Sequence, residues 1–272
     1  MMVAATGLSQ SAGAWWEWVA ILGAGFWAGM INVVVGSGTL VSFPVLLLCG
    51  YPPLVANISN TIGLVGGSLS GTIGYRRELR QNRSLARILL PASIVGGVGG
   101  SLALLVLPAE AFDTIVPVLI AGGVLMVVAG PLVQRRAARH ADPAGRASTI
   151  STGRLGGIVG GVLVLGIYGG YFGAAQGILV VGLLSILTTE SMQSLNALKN
   201  LLVMTVNLIA AIVFMLVAWN SIDWLAVALI ASGATVGGIV GARVGRRLPS
   251  TLLRALIVVI GTAAIVNLLF LR

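Results

Sequence analysis

Charged residues, cysteine and histidine are all scarce in this chain of 272 residues. Charged residues make up 8% of it, against about 25% in soluble domains. Hydrophobic residues make up 57%, and the mean hydropathy is +1.04. The composition therefore excludes an ordinary soluble domain and indicates an all-α polytopic membrane protein.

The lack of histidine and cysteine limits the chemistry that the chain can perform. Cys49 is the only cysteine, which excludes an intrachain disulfide, and His140 is the only histidine. We therefore expect no metal site and no cofactor. The seven acidic residues fall at segment ends or in loops, so no carboxylate relay for proton coupling is visible. A membrane-embedded enzyme is disfavoured for the same reasons.

Positive charge is present in excess, with a net charge of +9. The arginines cluster in short segments between apolar runs, as the positive-inside rule predicts for cytoplasmic loops. We therefore expect a lipid bilayer around the chain and no nucleic-acid partner.

Ten apolar segments can be traced along the sequence. In the first half they are 17–35, 38–50, 54–75, 86–107 and 112–133, and in the second half 154–172, 177–188, 197–218, 224–244 and 252–271. The second segment of each half is shorter than the roughly 20 residues that a membrane-crossing helix needs. We interpret each short segment as half of a broken or re-entrant helix pair, which three spans follow.

The two halves repeat the same pattern. Gly36-Ser37-Gly38 precedes Asn57, and Gly173-Ala174-Ala175-Gln176-Gly177 precedes Asn196, at an offset of 139 residues. Further on, the first-half glycines Gly96, Gly97 and Gly100 recur in the second half as Gly237, Gly238 and Gly241. These glycines predict close helix packing. We divide the chain into a first transmembrane repeat at 15–133, a cytoplasmic linker at 134–153 and a second repeat at 154–272.

Loop charges predict opposite orientations for the two repeats. The loop after the third segment holds Arg76, Arg77 and Arg80, whereas its second-half counterpart, 219–224, has no cation. The counterpart of the acidic loop at Glu110 is instead arginine-rich. The positive-inside rule then predicts inverted topology with both termini outside. Trp15, Trp16 and Trp18 would anchor the outer interface, or alternatively pack on a second protomer in a homodimer.

The two breaks are the predicted functional site. Non-helical backbone at membrane depth is tolerated where it is buried in protein or lines a wet cavity, and broken helices in paired repeats are typical of secondary transporters. Helix N-termini at such breaks attract anions. The candidate substrate-binding residues are Ser37, Gly38, Asn57, Asn60, Thr61, Gln176, Gly177, Asn196, Lys199 and Asn200.

Lys199 is the only lysine, and it lies within an apolar segment. A charged side chain there is costly and predicts a functional role, here a positive charge for an anion. The alternative is that Lys199 snorkels to the cytoplasmic headgroups. The amides have an alternative role as interhelical hydrogen-bonding groups, which we favour for Asn32, Asn207 and Asn267.

Two stretches of the sequence form a recognisable pair: an apolar helix running into small residues, from Gly25 to Pro44, and a glycine-rich stretch from Gly237 to Pro249. In these residues the sequence resembles the TauE/SafE family, also called the sulfite exporter or toluene sulfonate uptake permease family. The resemblance extends over nearly the whole chain, from about Trp18 to Leu271.

The resemblance implies transport of small sulfur-containing anions, such as sulfite, sulfonates or sulfoacetate, or of other small organic anions. We expect a multi-pass protein of the bacterial inner membrane with the substrate bound between the two breaks. The alternatives are a channel-like anion uniporter, an importer, or a non-transporting membrane scaffold.

Overall fold

A computed structural model of the chain describes residues 15–140, 152–244 and 250–270. The described residues form α-helices and one short 3-10 helix, with no β-strand among them. The helices are α1 (Trp15–Val34), α2 (Thr39–Leu48), α3 (Pro53–Gly74), α4 (Arg76–Gln81), α5 (Arg83–Val106), α6 (Ala109–His140), α7 (Thr152–Tyr171), α8 (Gln176–Leu187), α9 (Met192–Val217), α10 (Trp224–Val244) and α11 (Ser250–Phe270).

The all-α membrane class is confirmed. Six helices, α1, α5, α6, α7, α9 and α10, are long and apolar enough to cross a membrane. The short second segments are confirmed as the short apolar helices α2 and α8. Helix α3 carries two asparagines and many glycines and serines, which lowers its hydropathy although it has 22 residues.

Several helix boundaries differ from those that hydropathy indicated, two of them by five residues or more, and one predicted loop is helical. Helix α9 begins at Met192, five residues earlier, because Ser191 caps it by accepting a hydrogen bond from the backbone nitrogen of Ser194 at 3.2 Å. Helix α6 continues to His140, into the predicted linker. The predicted arginine-rich loop is instead a short helix, α4. Its residues are mostly polar, so hydropathy does not indicate it.

The halves are interleaved rather than side by side. Helix α1 packs on α10 of the other half, just as α7 packs on α5, and α3 and α9 pack on each other. If each helix is replaced by its counterpart in the other half, the α1–α10 pair becomes the α7–α5 pair and the α3–α9 pair is unchanged. Such a correspondence is expected of a duplication. The inverted orientation of the repeats in the membrane stays a prediction, as do the roles of the exposed Trp15, Trp16 and Trp18.

The predicted close-packing glycines are confirmed. A Cβ on Gly96 would lie 2.6 Å from the carbonyl oxygen of Leu163 in α7, and one on Gly238 would lie 2.6 Å from the carbonyl oxygen of Gly67 in α3. Glycine is therefore what lets these backbones touch, which is how helices associate without a hydrophobic driving force between them.

We predict that Gly100→Ala destabilises the protein while Gly99→Ala does not. A Cβ at position 100 would overlap the backbone of Ile167, whereas at position 99 the nearest atom would be 3.8 Å away. Overpacking of this kind costs about 1–3 kcal/mol, and alanine otherwise gains up to about 1 kcal/mol in a helix. Thermal unfolding in detergent measures both. Equal midpoints for the two variants would show that the α5–α7 contact is looser than described.

Candidate functional site

The two broken helices end in the same way. The backbone nitrogen of Gly36 donates to the carbonyl of Ile31 at 3.0 Å, and that of Gly173 donates to the carbonyl of Tyr168 at 3.1 Å. Both glycines have positive φ angles, 91° and 73°, a conformation in which a side chain is strained. The glycine at each break therefore ends its helix inside the protein.

The two breaks meet. The backbone nitrogen of Gly177, in the first turn of α8, donates to the carbonyl of Gly36 at 3.0 Å. A Cβ on either glycine would lie within 2.7 Å of the other residue's Cα. The predicted convergence of the two broken segments is thus a direct backbone contact.

The side chain of Lys199, a residue of α9, contacts the end of the first broken helix, α1. Its Nζ donates to the carbonyl oxygens of Asn32 at 3.2 Å and Val33 at 2.7 Å. These carbonyls belong to the last turn of α1, where partial negative charge accumulates. The side chain is 0% exposed, so the snorkelling alternative is wrong. Lys199 is instead held as a side-chain cap on α1.

Asn57, a residue of α3, caps the end of the second broken helix, α7, in the same way. Its Nδ2 donates to the carbonyl oxygen of Tyr171, the last residue of α7, at 3.0 Å. Each broken helix is therefore capped by a side chain from the third helix of the other half. One cap is an amide and the other is the amino group of a lysine.

Two further candidates make local contacts near the breaks. The Oδ1 atom of Asn60 accepts a short hydrogen bond from Ser42 of α2. The side chain of Gln176 folds back against Gly169, and its Nε2 donates to the carbonyl of Leu165 in α7 at 3.1 Å. Gln176 therefore braces the α7–α8 hairpin.

A polar bridge links α1, α3 and α9. Ser68 Oγ accepts hydrogen bonds from Asn32 Nδ2 at 3.0 Å and Asn207 Nδ2 at 3.2 Å, which confirms the interhelical role predicted for these two asparagines. Thr72 Oγ1 donates to the carbonyl of Asn200 at 3.1 Å. These two contacts set an antiparallel register between α3 and α9.

The register places six of the ten candidate residues in two clusters. Asn60 lies eight residues, roughly 12 Å, from Ser68 along α3, and Asn200 lies seven residues, roughly 10 Å, from Asn207 along α9 in the other direction. Asn57, Asn60 and Thr61 form one cluster with the end of α7, and Asn196, Lys199 and Asn200 form the other with the end of α1. Ser37, Gly38, Gln176 and Gly177 lie on the breaks.

Several candidates carry buried polar atoms without a hydrogen-bond partner. They are Ser37 Oγ, Asn57 Oδ1, Asn60 Nδ2, Gln176 Oε1 and Asn200 Nδ2. All five side chains are at most 5% exposed. Buried polar groups are rarely left unpaired, because each costs about 1–3 kcal/mol. Thr61 is also buried, while Asn196 is half-buried.

The roles of Ser68 and Ser42 were not predicted from the sequence. Serine is common in membrane helices, Ser68 lies far from either break, and nothing in the sequence pairs Ser42, four residues after Gly38, with Asn60. For Ser68 a signal was present, since it lies 139 residues before Asn207, the same offset that relates Asn57 to Asn196.

Opposite charges mark the two ends of the molecule. Arg76 and Arg77 share a cleft with Arg243 of the second half. At the other end, Tyr51 lies in the α2–α3 connection, near Asp223 and Glu17. Burial, followed by these two carboxylates, raises the pKa of Tyr51 to about 12. Arginine-rich loops from both halves therefore lie together, away from these acidic residues.

Comparison with known proteins identifies the family. A family model described as sulfite exporter TauE/SafE matches residues 21–268. The chain belongs to this family. It is accordingly a multi-pass membrane protein of a transporter family, as the resemblance implied. No solved structure matches the chain.

Relatives that match along most of their length are named as transporters. A "Probable membrane transporter protein" of Haemophilus influenzae is 25% identical over 238 residues, covering 86% of this chain and 88% of the relative. The "Probable membrane transporter protein YfcA" of Escherichia coli is 27% identical over 250 residues, covering 89% and 86% respectively. The similarity thus spans both halves and both breaks.

We predict that Gly36→Ala is more destabilising than Gly50→Ala. Both glycines have positive φ, 91° and 86°, but a Cβ at position 50 would meet no atom within 4 Å. Backbone strain costs each variant about 1–2 kcal/mol, and the clash with Gly177 adds about 1–3 kcal/mol at position 36 alone. Unfolding midpoints in detergent measure the difference. Matching losses would argue against the Gly36–Gly177 contact.

Proposed function

We propose that the protein carries small sulfur-containing anions, such as sulfite, sulfonates or sulfoacetate, or other small organic anions, across the bacterial inner membrane. One observation carries the proposal. Among the described residues, Lys199 is the only charged side chain in the buried class. A buried cation without a buried carboxylate gives the interior a positive character, which favours an anionic substrate.

The unpartnered atoms supply the means of binding. Ser37 Oγ, Asn60 Nδ2 and Asn200 Nδ2 are hydrogen-bond donors, and the oxygens of a sulfite or sulfonate group are acceptors. The Lys199 ammonium has three N–H groups, of which two are directed at α1 carbonyls. The substrate would pass between the two clusters, near the Gly36–Gly177 contact.

Export is the direction we propose. The buried positions hold no carboxylate among the described residues, so the membrane potential is the simplest driving force. An anion leaving a negative interior gains about 2.3 kcal/mol per charge per 100 mV. A channel-like uniporter or an importer would use the same site.

A non-transporting scaffold is the candidate from another class. A scaffold gains from packing its polar groups in pairs, yet five candidate atoms at the breaks and on α3 and α9 have no partner. At about 1–3 kcal/mol each, that is a large cost for a purely structural role. The transporter therefore fits the polar pattern better.

We predict that the purified protein in liposomes supports sulfite efflux, and that a membrane potential with the interior negative accelerates this efflux. Lys199→Ala should lose most of this flux, and Lys199→Arg should retain more of it, because the arginine keeps the charge. Flux is followed with an entrapped sulfite-sensitive dye. No flux in the wild type, or equal flux in Lys199→Ala, would refute the mechanism.

Two serine-to-alanine variants distinguish a loss of substrate binding from a loss of stability. Ser37→Ala removes a hydroxyl without a partner, so stability should hold or rise while sulfite flux falls. Ser42→Ala removes the donor to Asn60 and should lose about 0.5–1.5 kcal/mol. Thermal unfolding and liposome flux are measured on both. Full flux in Ser37→Ala would exclude this hydroxyl from the substrate path.

A further inference from the structure

The end of the molecule that carries α4 contains a cleft distinct from the breaks. Its volume is about 370 Å³. Four arginines line it, Arg76 and Arg80 from α4 and Arg83 and Arg87 from α5. We call it the arginine cleft.

The arginines are placed in a way that the positive-inside rule alone does not require. Arg76 and Arg80 are four residues apart, as are Arg83 and Arg87, so each pair lies on one helix face. Like charges at this spacing destabilise a helix. None of the residues that line the arginine cleft is acidic. A bound anion would relieve this repulsion.

The remainder of the lining is mainly apolar. The apolar residues are Ile73, Leu79, Ala86, Leu90 and Leu201. Ile73 of this lining is 52% exposed, so the apolar surface of the cleft opens onto the outside of the bundle. A small inorganic anion would leave this floor uncovered, whereas a phospholipid has an acyl chain that can lie on it while its headgroup stays beside the arginines.

We propose that the arginine cleft binds an anionic phospholipid, with its phosphate on the guanidinium groups and an acyl chain on the apolar floor. Guanidinium groups bind phosphate oxygens in pairs, and basic pockets between membrane helices on the cytoplasmic side suit anionic headgroups. Thr72 lines the arginine cleft and donates to the carbonyl of Asn200, the residue after Lys199. Leu201, which also lines the arginine cleft, belongs to α9, so the bound lipid would contact the helix that carries Lys199.

The test compares two triple variants of the full chain in neutral detergent. One is Arg80→Gln/Arg83→Gln/Arg87→Gln in the arginine cleft. The matched control is Arg135→Gln/Arg136→Gln/Arg139→Gln, which removes the same charge from α6. Each protein is titrated with phosphatidylglycerol, with phosphatidylcholine and with inorganic phosphate, and bound lipid is counted by native mass spectrometry.

We expect phosphatidylglycerol to bind the wild type and the control equally, and the cleft variant roughly a hundredfold more weakly, since each arginine contributes about fivefold. Arg83→Gln alone should bind about fivefold more weakly, which decides the matter if the triple variant does not fold. Equal weakening of both triple variants would reveal general charge attraction and overturn the proposal. So would phosphate binding as tightly as the lipid, or phosphatidylcholine binding as well as phosphatidylglycerol.

Discussion

Everything at the centre of this protein depends on how the ends of two interrupted helices are satisfied within the membrane. A helix that stops there leaves backbone carbonyls without partners, and lipid cannot hydrogen-bond to them. Here the carbonyls at the end of α1 receive Lys199 and the one at the end of α7 receives Asn57. Because each cap comes from the other half, neither break is complete without the opposite repeat.

The unequal caps give the interior its electrical character. An amide neutralises a helix end locally, whereas an ammonium brings a full charge that the partial charge of a helix terminus offsets only in part. The helix end thus makes the buried lysine tolerable, and in the proposed mechanism the remaining positive potential attracts the anion. The asymmetry between Asn57 and Lys199 therefore matters as much as the symmetry of the fold.

Much of this could be predicted from the sequence. The apolar segments, the short second helix of each half and the small residues at the breaks are local patterns, and the structure has each of them. The contact between Gly36 and Gly177 could not be predicted, because it depends on the relative position of two hairpins 141 residues apart. Nor could the partners of Lys199, since main-chain carbonyls are present at every residue. The helix α4 was missed because hydropathy does not report polar helices.

The hydrogen bond between Ser68 and Asn207 has an evolutionary consequence. These residues occupy the same position in the two halves, and equivalent positions can touch only at the axis that relates their repeats. In a dimer of identical single repeats, such a contact would be isologous, each residue meeting its own copy. Within a single chain that requirement is absent. One side can therefore be an amide that donates while the other is a hydroxyl that accepts.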